Sequence, residues 1–121
     1  MLRLIAIAAV MFATHALAAS GDVQTRCGWL ENPKPANFYL LDGEARWTIA
    51  DQGRYRAEGS DDIPDPSGQE FVETNGPYGY ACVCMTVAVD SEKRQVTSIK
   101  KVTKKLLKDC RGDAKLPRMS R

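Results

Sequence analysis

The chain has 121 residues, 44% of them hydrophobic and 26% charged, with a formal net charge of +2. That size suits one small domain with a modest core, which gains much from covalent staples. Its single histidine, His15, lies in an N-terminal apolar segment, so the rest of the chain has no Ser-His-Asp or Cys-His arrangement, no H-E-x-x-H zinc site and no histidine acid–base pair.

Residues 1–18 read as a secretory signal peptide. Arg3 supplies the positive start, residues 4–13 carry no charge, and Ala16-Leu17-Ala18 is an A-x-A cleavage site. The apolar run is shorter than the roughly 20 residues a bilayer span needs. Gln24-Thr25-Arg26 before Cys27 lacks the small residues of a lipoprotein signal. The expected location is therefore the periplasm or the outside of the cell. Residues 19–26 are expected as an exposed lead-in, 27–111 as a single small β-domain and 112–121 as a flexible tail.

Asn32-Pro33-Lys34-Pro35 predicts a stiff loop, because proline fixes φ and restricts its predecessor. A strand over 37–41, the Asp42-Gly43 turn and a return strand over 44–50 follow, with Ala45, Trp47 and Ile49 on one face. Gln52-Gly53 marks another turn before a short strand at 54–57, and 59–68 is rich in Gly, Ser, Asp and Pro, as surface loops are. Residues 69–74 predict a strand anchored by Phe71, and Asn75-Gly76-Pro77 a turn. The strand over 80–89 is apolar on both faces and is expected to be central and doubly covered. After a turn at 90–94, residues 95–103 form its partner, and 104–110 a short helix. Short strands between turns predict an all-β fold: a small antiparallel sheet or barrel-like domain with one short C-terminal helix and two disulfides.

Four cysteines, Cys27, Cys82, Cys84 and Cys110, follow the export signal and in an oxidising compartment predict two disulfides. Cys82 and Cys84, two apart on one strand, point to the same face about 6.6 Å apart along the chain, which disfavours a bond between them. One is expected to pair with Cys27 and the other with Cys110, in either combination. Thiolates would also suit copper(I) or zinc, so a thiol or metal-binding protein using the Cys-x-Cys pair is the alternative reading. The spacing is not that of paired C-x2-C knuckles, and no metal or other cofactor is expected.

Charge is unevenly spread. Residues 19–92 hold 5 basic and 13 acidic side chains, and residues 93–121 hold 11 basic and 2 acidic. Such a split can steer a partner or fold the basic segment onto the acidic one. Lys100, Lys101, Lys104 and Lys105 are candidates for a binding surface, as are Tyr78 and Tyr80 if the preceding turn displays them. Nucleic acid is not the expected partner, since no aromatics interleave with the lysines. Glu31, Asp42, Glu44, Asp51, Glu58 and Glu70 are carboxylates of the right type for glycan hydrolysis, but no spacing singles out two.

Arg26-Cys27-Gly28-Trp29, Glu31-Asn32-Pro33, Asp42-Gly43, Trp47-Thr48-Ile49, Tyr78-Gly79-Tyr80, Cys82-x-Cys84 and Cys110-Arg111 together resemble a bacterial exported family of unknown function. The resemblance implies a small exported protein with four cysteines and no known activity. The expectation is a non-enzymatic binding or inhibitor module whose partner is a protein or an envelope polymer.

Overall fold

The computed structural model describes residues 5–11, 22–68 and 70–120. Most of the segment read as an export signal, including Arg3, His15 and the cleavage site at Ala18, lies outside the described residues. Among those described, no helix is long and apolar enough to cross a membrane.

The elements run β1 (Gln24–Lys34), β2 (Asn37–Leu41), β3 (Arg46–Asp51), β4 (Tyr55–Arg56), a 3-10 turn (Ser60–Asp62), β5 (Phe71–Asn75), β6 (Tyr78–Asp90), β7 (Gln95–Lys105) and α1 (Leu107–Arg111). The strands form one sheet in the order β1-β2-β3-β7-β6-β5, and β1 also pairs with β6. The path β1-β2-β3-β7-β6 therefore returns to β1 and closes a five-stranded barrel. Its pairings are antiparallel except β3 with β7, which meet at Thr48 and Gln95. A long first strand paired on both edges, with one parallel contact at the seam, makes this a five-stranded Greek-key barrel.

Side chains alternate in and out along each strand. Leu30, Leu40, Trp47, Ile49, Val83, Met85, Val87 and Val96 fill the barrel. The other face of β6 is covered over its first half. Trp29, Val72, Tyr80, Cys82, Leu107 and Cys110 form a second cluster beneath α1 and the C-terminal segment. The central strand expected from residues 80–89 is thus present, beginning two residues earlier, with its second face covered at Tyr80 and Cys82 and open around Cys84 and Thr86.

Several local expectations shift. The lead-in is partly strand, because Gln24, Thr25 and Arg26 pair with Val87, Thr86 and Met85. Pro33 lies inside β1, where the β1–β2 register jumps between Glu31 and Lys34; a bulge tolerates a residue with no N–H. The turn is Pro35-Ala36, held by Asn32 Nδ2, which donates to the carbonyls of Lys34 and Asn37. Lys104 and Lys105 belong to β7, not to the helix, since they pair with Val83 and Cys82. The segment after Gly112, expected as a flexible tail, packs back: Leu116 and Met119 cover the second cluster, and Trp29 Nε1 donates to the Pro117 carbonyl at 3.0 Å. An indole that would otherwise be buried with an unpaired N–H finds its acceptor there.

Candidate functional site

The described lysines of β7 and α1 form the most distinctive surface. Lys100, Lys101, Lys104, Lys105 and Lys108 are all exposed. Among the described residues, the ion pairs are Arg26 with Asp42 and Glu44, Arg46 with Glu31, and Arg56 with Asp61. All of these lie within the acidic part of the chain, and none uses the lysines. Two carboxylates lie near them: Glu70 shares a pocket with Lys104 and Lys105, and Asp65, whose carboxyl is held below the ordinary value by hydrogen bonds from Ser67, is lowered further by Lys104. β7 is bordered by β6 on one side. On the other, β3 and Glu58 reach only as far as Ile99, so residues 100–105 form an open edge. Charged lysines there also block strand addition.

The tyrosines do not join this surface. Tyr78 and Tyr80 lie inside β6, not on a display turn. Tyr80 is buried at 4% exposure and meets Trp29 edge-on, with ring centroids 5.1 Å apart. The two-residue period that turns Cys82 toward α1 turns Tyr80 the same way, so the apolar cluster claims it. Tyr78 is half-buried. An open cleft of about 570 Å³ lies where Trp29 and Tyr80 meet Arg111, Arg118 and Met119. Its two arginines lay outside the sequence-based candidates, because only the fold-back of the C-terminal segment brings them to the aromatic pair.

Cys27 bonds to Cys84, and Cys82 to Cys110. The same-face geometry read from Cys-x-Cys holds, and the structure decides the pairing: Cys27 lies opposite Cys84 in the β1–β6 register, while Cys82 sits under α1. With no free cysteine, the thiolate set of the metal-binding alternative is absent from the oxidised protein.

Four of the six candidate carboxylates have structural partners, while Asp51 and Glu58 hydrogen-bond through their backbones. Glu31 pairs with Arg46 at 2.9 Å. Asp42 accepts from Arg26 and Trp47, and Glu44 also meets Arg26. Glu70 Oε2 accepts the Leu107 backbone N–H at 2.7 Å, capping α1.

No curated protein and no solved structure matches the chain. The family described as a protein of unknown function (DUF4087) matches residues 21–117. That stretch takes in the closed barrel, both disulfides and the helix that covers β6, and the chain belongs to this family.

Proposed function

We propose that this protein is an exported, non-enzymatic binding module of the cell envelope, and that β7 and α1 form its face for an anionic envelope polymer. The observation that carries this reading is the exposed row from Lys100 to Lys108, outside every ion pair among the described residues. Two disulfides support export, since they persist in oxidising compartments. In barrels of this connectivity the usual ligand face is the outside of the second and third strands. Here that face is self-neutralised: Arg46 lies 3.7 Å from the Tyr39 ring centroid and pairs with Glu31. Fold alone does not assign a ligand, and the lysine edge carries charge that no ion pair among the described residues takes up.

The test uses two immobilised probes, heparin as a generic polyanion and purified lipopolysaccharide as an envelope polymer. Both should retain the protein at low salt and release it as salt screens the contact. Changing Lys101, Lys104, Lys105 and Lys108 together to Gln should weaken binding about tenfold, from roughly 0.3–0.5 kcal/mol per exposed charge pair. The melting temperature should hold. Equal binding by both proteins would leave the lysines as edge protection only, and the variant would then aggregate more readily.

A further inference from the structure

We propose that Cys27–Cys84 is a thiol–disulfide exchange site, with Cys27 the sulfur that an incoming thiolate attacks. The inference stands apart from the polyanion reading. It rests on the contrast between the two disulfides. Cys82 and Cys110 are 3% and 4% exposed, sealed beneath α1 with Trp29 and Tyr80. Cys27 is exposed and Cys84 half-buried, on an uncovered part of the same sheet face.

The register builds the surroundings. Without a break across this stretch, Thr25, Cys27 and Trp29 of β1 oppose Thr86, Cys84 and Cys82 of β6. Those in turn oppose Lys101, Thr103 and Lys105 of β7. Directly opposed residues share a face, and diagonal neighbours lie about 7–8 Å apart. Cys84 therefore has Thr103 beside it and a lysine on each diagonal, while the neighbouring carboxylate of Glu70, in a pocket with Cys82 and Lys105, is engaged by the Leu107 N–H. Positive charge stabilises a thiolate, which makes Cys84 the better leaving group and Cys27, at the outer edge, the accessible electrophile.

The co-reactant is a dithiol. Its first thiolate attacks Cys27 Sγ, the Cys27–Cys84 bond breaks, and Cys84 leaves as a thiolate. The second thiol of the reagent, deprotonated, attacks the reagent's own sulfur in the mixed disulfide and frees Cys27. The dithiol is oxidised to a disulfide, the protein gains two electrons, and protons from solvent complete both thiols. The barrel survives, because the β1–β6 ladder continues on either side of the pair from Gln24 to Asn32.

The experiment titrates the oxidised full-length protein with dithiothreitol, quenches by alkylation and maps the modified cysteines by mass. Cys27 and Cys84 should become alkylated together at reducing strengths that leave Cys82 and Cys110 bonded, with the circular dichroism of the barrel retained. Lys101→Gln with Lys105→Gln should slow the opening several-fold without changing the spectrum. In a Cys84→Ser variant, oxidised glutathione should form a mixed disulfide on Cys27. Opening of both bonds together, of Cys82–Cys110 first, or only with loss of the barrel would overturn the proposal. So would an opening rate indifferent to the two lysines.

Discussion

Asp42 shows how one side chain can organise a barrel end. Its Oδ1 accepts from the backbone N–H groups of Glu44 and Ala45 and from Trp47 Nε1, and its Oδ2 from Arg26 at 2.7 Å. Burial pushes its carboxyl up, but the hydrogen bonds of Ala45, Arg26, Glu44 and Trp47 together outweigh that and hold it below the ordinary value of 3.8. Arg26 lies 4.3 Å from the Trp47 ring centroid, and its Nε is buried without a partner, so the guanidinium depends on Asp42 and Glu44. A carboxyl held low stabilises the fold at pH values above its unfolded pKa, and that stability is lost as pH falls through the folded one. Asp42→Asn should cost about 1–3 kcal/mol at neutral pH. Chemical denaturation should show the gap from wild type shrinking as pH drops below the usual carboxylate range. Asp42-Gly43 was legible as a turn, but sequence spacing could not reveal that its carboxylate serves the buried Trp47 and the side chain of Arg26.

At the scale of elements, β1 depends on a missing side chain. Gly28 sits where a Cβ would collide with the backbone carbonyl of Leu41 at the end of β2. Backbone is on both sides, so neither can yield cheaply. Gly28→Ala should destabilise by about 2 kcal/mol or more, as overpacking does, whereas Gly53→Ala meets open space and carries only its left-handed φ of +72°. Urea unfolding of the two variants separates a steric clash from a dihedral penalty. Arg-Cys-Gly-Trp is thereby explained position by position: an arginine for Asp42, a cysteine for Cys84, a glycine for β2 and an indole for the second cluster. The apolar run of β6 is readable because one face fills the barrel and the other, at Tyr80 and Cys82, joins the second cluster. The end of β7 was misread as helix because consecutive lysines carry no period, and only pairing with Val83 and Cys82 makes them strand.

Across the whole molecule, the two disulfides do different work. Cys82–Cys110 spans 28 residues and ties α1 to β6. On loop-closure entropy its loss costs about 3–4 kcal/mol. A Cys82→Ala, Cys110→Ala protein should keep the barrel core of Trp47 and Met85 but release the C-terminal segment from Trp29. Hydrogen exchange would show protection lost in residues 107–119 and kept in β2 and β3. Uniform loss of protection would mean that the barrel and its cover fold as one unit. The charge split, read from sequence as steering or self-neutralisation, becomes a spatial one: the described ion pairs are made within the acidic part, while the lysines stay on the open edge of the sheet.

The sequence alone determined the strand-and-turn grammar, the apolar central strand and the rule that Cys82 and Cys84 must seek separate partners. Those are properties of local periodicity, of turn chemistry and of the two-residue alternation of a strand. Tertiary structure decided the closure of the barrel, the choice of Cys84 for Cys27, the burial of Tyr80 and the return of the C-terminal segment onto Trp29. Each of these depends on contacts between residues far apart in the chain, and their register is fixed by which apolar faces must be hidden together. Hydrophobic pattern specifies that a face is buried, but not against what.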